Sequence, residues 1–570
     1  MEIYADNVRI PFNEAISVKL FNPLFNDISG HSLPVNFNGR IPYVSRAFGF
    51  PGKKEAEIKD SINGRIKAPF VDLTGSWKVT RATDSIIEAY FKSSAGDFYS
   101  LIKDKYLHEI DFGDIHDLPA DLQDPNCSLF DTYYPLTEYA MFSAYMPNGK
   151  GDNNTELGNC WVNQVTVDDN GDPYFNPYPL SSANLGIYLF VATIIQYMFA
   201  EFGYKVESSI FTTDPDLCRL VVFNTYNNIA SIYSDEYTNN YLKVNYSKLV
   251  PHITCGDFIK ALRDRFNIGF FINEQSKSVE IKSFNQVIES GSTASVTKSG
   301  KPSVEDTRFA GMRFPVVFAD EYATHGITSE DELNNVIEVN KYRDILPLTR
   351  NDGDLIFVKS ERNYYRINAD LEAVKLCTDD IQYSEGNASE EITQLSSIPA
   401  MYTYTWTHQY TYLVEGEPTN GETEADYLLP RCDLAGNRAE NEFIAYPLML
   451  LFARGIAPCY VVPADGAPDY KHPIGSGDLF DAEAGALTGT MTLKWDGTYG
   501  LVEKLWLNRI AWEMNIKKLV KTEILSSDID KIIDFSKVVR IGTDNYLVNS
   551  FTLQISEKQV RVEELELLRL

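Results

Sequence analysis

The densest set of functional side chains in this 570-residue sequence is the row Tyr402, Tyr404, Trp406, His408, Tyr410 and Tyr412, within MYTYTWTHQYTYLV (Met401–Val414). Thr403, Thr405, Thr407 and Thr411 alternate with it, which predicts a strand carrying its rings on one face. Such a ladder suits two kinds of chemistry: stacking against sugar rings, or packing against a neighbouring subunit. Tyr402, Tyr404, Trp406, Tyr410 and Tyr412 are therefore the candidate interface or glycan platform. His408 reads as a packed polar residue in that row, not as a metal ligand.

Other chemistry-bearing residues fall short of a site. Asp168-Asp169-Asn170-Gly171-Asp172 offers carboxylates to a cation, but Pro173 stands where an EF-hand loop needs its glycine. The same residues read as a hairpin turn between Trp161–Asp168 and Asp172–Phe175. Gly475-Ser476-Gly477-Asp478 lacks the strand-to-helix setting of a phosphate loop. The seven histidines are scattered singly, and no H-E-x-x-H, G-x-S-x-G or Walker pattern occurs. Asp320-Glu321 and Asp379-Asp380 are carboxylate pairs of the kind that any acidic chain supplies. Asn153-Asn154-Thr155 and Asn387-Ala388-Ser389 match the glycosylation sequon, which means little without a secretion signal. The expectation is no catalytic site, no cofactor, no metal and no enzyme activity.

Composition narrows the partners. Eighty acidic residues against 51 basic give a net charge of −29, which argues against phosphate neutralisation and sequence-specific nucleic-acid binding. Acidity keeps a protein soluble and self-repelling, and would suit the wall of a channel through which DNA slides. Tyr and Phe, 34 and 32, fit strand-rich cores and interfaces. Seven cysteines, odd in number and without a C-x-x-C, point to buried thiols, as at Cys218 and Cys255, in a reducing compartment. The opening MEIYADNVRI lacks a basic segment followed by an apolar one, so no leader is expected. Leu185–Ala200 includes Gln196 and is shorter than a bilayer span, so it reads as a buried helix and no membrane anchor is expected.

The elements behind these residues are mostly strands. The fold class is α+β, mostly β: barrel or sandwich modules interleaved with small helix-over-hairpin modules. Expected divisions are a β-rich, barrel-like 1–180, an α/β module at 181–285, a return to β-barrel at 286–395, an aromatic-rich and peripheral 396–490, and a helix plus sheet at 491–570. The most self-consistent stretch is Leu249–Phe284. Thr254 is placed to cap a helix carrying Phe258, Leu262 and Phe266 on one face, Asn267 ends it, and Ile268–Asn273 and Ser278–Phe284 form a hairpin. A second unit of that shape is read upstream: a helix closed by Gly203, then strands Tyr204–Ile210 and Cys218–Asn224 around Thr212–Pro215. Gly489–Lys494 is also read as a strand.

Five blocks of the sequence resemble tail proteins of phages and prophages of gut bacteria. They are FNPLFNDISGHSLPVNFN (Phe21–Asn38), RAFGFPGK (Arg46–Lys53), the capped-helix unit Leu249–Phe284, TLKWDGTYGLVEKLWLN (Thr492–Asn508) and Ile532–Leu570. The third looks like the hub module of such proteins. The resemblance implies a non-enzymatic tail or baseplate hub, built of β-barrel and α/β modules. It implies self-association as a homotrimer or another ring, with a tail tube or distal tail protein and a spike or receptor-binding protein as partners. The expected location is the virion tail, after assembly in the host bacterial cytoplasm. Two departures matter: no spike or lysozyme-like extension follows Leu570, and Met401–Pro473 has no counterpart. The aromatic row keeps a carbohydrate-binding adhesin as the alternative, and a glycan-degrading enzyme rests on composition alone.

Overall fold

Residues from both ends of the chain build one sheet. Strand Ile16–Phe21 pairs antiparallel with Asp544–Ile555, from Ile16 opposite Ile555 to Phe21 opposite Ser550. Alternation explains the register: Ile16, Val18 and Leu20 are buried, while Ser17, Lys19 and Phe21 are half-buried. Asn22 locks the end of this pairing. Its backbone N–H donates to the Asn549 carbonyl at 3.0 Å, and its side-chain amide donates to the Val548 carbonyl at 2.7 Å.

In the computed structural model, the described residues are 1–25, 30–53, 59, 61–93, 98, 102–113, 116–117, 129–150, 156–163, 165–167, 173–175, 186–224, 232–234, 242–273, 276–289, 293–297, 302–307, 312–314, 335–340, 342–358, 363–378, 381–383, 393–394, 404–410, 413–414, 417–418, 423–430, 448–458, 471–477, 489–495, 497–514 and 517–570. They form an α+β, mostly β structure dominated by a curled half-barrel sheet. Its path runs Val8–Ile10, Glu2–Ala5, Ile62–Ala68, Val71–Ala82, Ile86–Ser93, Gly30–Ser32, Ile16–Phe21, Asp544–Ile555, Val560–Arg569, Lys517–Thr522 and Ser303–Thr307. Asp6 and Asn7, with φ of 48° and 62°, make the two-residue turn of the first hairpin, where both central positions must be left-handed.

Trp77 anchors the inside of the curl. It is fully buried, packs edge-on to Phe37 at 5.0 Å, and donates its indole N–H to the Tyr4 carbonyl. Gly64 and Gly75 face each other across two strands. A Cβ on the first would overlap the Trp77 ring, and one on the second would overlap the Lys92 carbonyl. Phe551, Leu553, Leu565 and Leu567 from the C-terminal strands complete the same core.

A second core gathers the helices. Helix Val191–Glu201 buries nearly all of its apolar residues and runs eleven residues. Among the described residues, no helix is long and apolar enough to cross a membrane. Gly203 follows it at φ 76°, the left-handed position expected there. Helix Cys255–Phe266 contributes Phe258, Leu262 and Phe266, each fully buried, against Phe270, Val279 and Ile281 of its own hairpin.

The upstream unit differs from the sequence reading. Lys205–Ser209 is a strand, but the chain then enters a helical turn at Ile210–Thr213, where the Ser209 hydroxyl accepts the Phe211 N–H. Leu220–Val222 pairs with Leu450–Pro458 instead of folding back. Lys205–Ser209 lies parallel to Ser278–Ser283, so the two units share one three-stranded sheet. The pairing energy is long-range, and a local alternation pattern does not carry it. Residues 489–495 likewise form no strand. They are held as an irregular segment, with Leu493 N–H on the Gly477 carbonyl and Thr492 N–H on the Tyr499 carbonyl.

A buried ion pair fastens these distant segments. The Arg454 guanidinium donates to Asp216 at 2.7 Å, with side-chain exposures of 1% and 3%. Asp216 also accepts the Thr490 N–H and hydroxyl, while Arg454 reaches the Met491 carbonyl and lies over the Phe452 ring. Gly489, at φ 113°, fits because a Cβ would overlap both charged groups. Removing one partner leaves the other charged, buried and unpaired. Arg454→Met is expected to cost about 3–5 kcal/mol in urea unfolding. Arg454→Met with Asp216→Leu should cost less than Arg454→Met alone, which the same titration checks.

Candidate functional site

The site grows from the capped helix. Thr254 accepts the Asp257 N–H at 3.1 Å and donates its hydroxyl to the Asp257 carboxylate at 2.8 Å, closing the first turn. At the other end Asn267 takes the left-handed conformation, φ 52° and ψ 50°. This position does two jobs. Its conformation turns the chain into strand Ile268–Asn273, and its amide donates to the Leu505 carbonyl at 2.9 Å. Its carbonyl oxygen accepts from Arg509 at 2.8 Å.

Leu505 and Arg509 belong to a helical stretch that begins with a π-turn, Val502–Trp506, and continues as Leu507–Met514. A π-turn widens the spiral and re-aims the side chains beyond it. Here Trp506 donates its indole N–H to the Arg265 carbonyl at 3.2 Å. Arg265, itself buried, stacks on Trp495 at 4.3 Å and bonds the Leu493 carbonyl. Arg509 lies over both Trp506 and Phe25, and is paired with Glu513 at 2.9 Å. The module is thereby joined to the loop after Ile16–Phe21.

A cavity of about 460 Å³ opens beside this junction, between the large sheet and the hairpin. One wall is Phe270–Asn273, four consecutive residues. Phe271 and Asn273 pair with Glu280 and Ser278, which also line the cavity, so it lies over that face of the three-stranded sheet. The opposite wall is Asp72–Thr74, ahead of the point where Gly75 meets Ser93 and pairing with Ile86–Ser93 begins. Asp530, Ile533, Asp534, Phe535 and Lys537 close the third side.

The lining is acidic and aromatic. Arg65 grips Asp72 through two guanidinium nitrogens and holds its carboxyl below the usual range. Burial pushes the Asp534 carboxyl up, but hydrogen bonds from Lys537 and Ser536 outweigh it and leave the group low. Glu280 pairs with Lys282. Glu207 and Asp530 are exposed and meet no cation among the described residues.

A second polar cluster lies across the helical core. Glu138 accepts from the Tyr246 hydroxyl at 2.8 Å and from the Tyr197 hydroxyl at 3.1 Å. The His116 ring stacks on Tyr246 at 3.9 Å. Burial, then the Glu138 charge, pushes the Tyr197 phenol up to about 12, and the same causes raise Tyr246 further. Both phenols are locked as neutral donors. Nearby, Tyr106, His108 and His252 stack in a column, and burial lowers the His108 imidazole. Among the described residues, no three His, Cys, Asp or Glu side chains come together as metal ligands.

The chain is similar to phage tail proteins. One solved structure is the 43 kDa tail protein of prophage MuSo2 from Shewanella oneidensis: 9% identity, 100% of this chain and 98% of that chain covered, TM-score 0.30. Another is the tail protein from Neisseria meningitidis MC58: 6% identity, 100% and 95% covered, TM-score 0.25. No family model matches the chain, and no curated protein does.

The residues singled out from sequence stay apart from the cavity. Tyr404, Trp406 and Tyr410 lie on strand Tyr404–Tyr410, paired antiparallel with Thr423–Leu429. Tyr402 and Tyr412 lie outside the described residues, as do Asp320-Glu321 and Asp379-Asp380. Gly475 and Ser476 end strand Lys471–Ser476, and Gly475 is glycine because the Phe142 ring occupies the space of a Cβ. Val165–Val167 pairs with Pro173–Phe175 on either side of the DDNGD stretch, which itself lies outside the described residues. Glu138, Tyr246, Phe70 and Glu207 carried no sequence signal, because each acts through partners far along the chain.

Two outcomes follow from this geometry. Asn267→Gly keeps the left-handed turn but leaves the Leu505 carbonyl without its amide donor and takes one acceptor from Arg509, for a loss of about 1–3 kcal/mol in chemical denaturation. Asn267→Ala adds about 1–2 kcal/mol for the left-handed backbone, so the difference between the two separates turn from tether. Tyr197 titrates higher when folded than its ordinary 10.0. The stability tied to its neutral form is complete below about pH 10 and drains away as pH rises through about 12. Glu138→Gln should bring the onset of tyrosinate absorbance to lower pH.

Proposed function

We propose that this chain is a structural, non-enzymatic component of a phage tail: a hub-like subunit that links the tail tube to the spike or receptor-binding apparatus. It works by assembly, as a homotrimer or another closed ring in the virion, after assembly in the host bacterial cytoplasm. The observation that carries this reading is that the separate blocks resembling tail proteins meet in space. Phe21 of the first block pairs with Ser550 on strand Asp544–Ile555, which belongs to the last block, and Gly30–Ser32 lies one strand further on, paired with Ile16–Phe21. Thr492–Asn508 wraps the capped helix through the Arg265, Trp495 and Trp506 contacts. Blocks that form one joint behave as one inherited unit.

Assembly is favoured by the open sheet. Val8–Ile10 and Ser303–Thr307 stand at its two ends, each paired on one side only among the described residues. Unpaired strand edges are templates for pairing with another chain. A closed ring satisfies such edges without running on into filaments.

The test is native mass spectrometry with negative-stain imaging of the purified protein, alone and with the tail tube protein of the same phage. A ring is expected, at three times 64.5 kDa for a trimer. A protein that stays monomeric and enters no particle overturns the reading. Saturable glycan-array binding that disappears in Trp406→Ala with the fold intact would replace it with an adhesin.

A further inference from the structure

We infer that the outer face of the half-barrel sheet carries a docking patch for a segment of a different protein chain in which acidic and aliphatic residues mix. The inference stands on that face alone and does not require the ring. Lys19, His31 and Lys92 come from three adjacent strands, with Lys19 opposite His31 and His31 opposite Lys92. The strand residues on either side of each are buried, so all three point away from the core. The sheet itself does not favour this placement, because cations gathered on one face of neighbouring strands repel.

Rings and one exposed aliphatic side chain complete the patch. Lys19 lies over the Phe21 ring at 5.4 Å, Phe21 stacks on His31 at 6.1 Å, and Lys92 lies over the Tyr90 ring at 5.9 Å. Lys78, exposed, faces Tyr90 from the next strand. Leu33, two residues on from His31, is 68% exposed, and its N–H is held by the Ser17 carbonyl. Among the described residues, Lys19 and Lys78 meet no carboxylate. Two acids close by in register have contacts elsewhere: Glu564 pairs with Lys521 at 3.6 Å, and Glu88 accepts the Thr80 hydroxyl at 3.0 Å.

Charge and surface type select the occupant. Residues 1–93 hold twelve Lys and Arg against ten Asp and Glu, so the face belongs to a slightly cationic part of a chain whose net charge is −29. The overall field is screened over about 8 Å at physiological salt, so at contact the local sign decides. Carboxylates set among Lys19, Lys78 and Lys92 meet complementary charge, and a cationic segment does not. Leu33 beside those cations gains from an aliphatic cover, which a protein supplies and a sulfated or phosphorylated polymer does not. A second copy of this chain brings a further −29 with it. A partner acidic along one segment only avoids that repulsion.

The probe is an end-blocked peptide Gly-Glu-Leu-Glu-Leu-Glu-Gly, titrated into the full chain by isothermal calorimetry at low salt, with a Gln-for-Glu peptide as its counterpart. The glutamate peptide is expected to bind, less tightly as salt is raised, and the glutamine peptide to bind more weakly. Lys19→Glu with Lys78→Glu should weaken binding about tenfold, and Leu33→Ser should weaken it with no change of charge. Lys205→Glu with Lys260→Glu, exposed lysines on other elements, alters the net charge equally and should leave binding nearly unchanged. Circular dichroism checks that each variant is folded. No binding of the glutamate peptide, equal binding of both peptides, or equal weakening by the two lysine pairs overturns the assignment. Binding untouched by Leu33→Ser would mark a site for polyanions in general and overturn the choice of a protein segment.

Discussion

Everything between residues 21 and 544 is an excursion from one strand pair. Bringing Ile16–Phe21 to Asp544–Ile555 closes a loop of several hundred residues, at an entropic cost of roughly 5 kcal/mol beyond the constant for a short loop. The pairing itself offsets this. Burying Ile16, Val18 and Leu20 against Phe551, Leu553 and Ile555 stabilises by about 1.5–3 kcal/mol per side chain. For six side chains, burial therefore outweighs closure by about two- to fourfold. Asn22 shows how firmly the end is set, since its amide reaches a carbonyl 526 positions away. Once the seam forms, the capped helix, the second core and the cavity have fixed surroundings.

That constraint also explains what could be read from residues alone. The helix Cys255–Phe266 was legible in full, because cap, apolar face, left-handed stop and hairpin all lie within thirty residues. The C-terminal strands were legible as strands for the same reason: Gly542 at φ 64° turns Val538–Ile541 directly onto Asp544–Ile555. Their partners were not. Nothing in ISVKLF marks it as the neighbour of residues at the far end. Leu220–Val222 looked like half of a hairpin because its true partner, Leu450–Pro458, is more than two hundred residues away. The cavity was invisible for the same reason, since its walls come from five separate parts of the chain.

Polar groups concentrate at the seams between these parts, where a purely apolar contact would leave position unspecified. Asp216 and Arg454 tie a 3₁₀ turn to a distant strand and to the segment at Thr490. Asn267 and Arg509 tie the capped helix to the π-turn stretch, and Arg265 does so again through the Leu493 carbonyl. Each is buried or half-buried and held by two or more partners, so desolvation is compensated only in the native arrangement. A slipped or alternative docking would leave a charge unpaired, at a cost far larger than any surface ion pair returns.

Net charge sets the last condition on assembly. Two copies at −29 repel at distances beyond contact, and at physiological salt that repulsion is screened over about 8 Å. Any association between copies would therefore have to come from short-range terms: strand edges that complete hydrogen bonding, and rings that leave water. A basic partner needs no such help, because the long-range field draws it in. On charge alone, a cationic protein would meet this chain faster than a second copy of it would, and copies would associate only through well-matched edges.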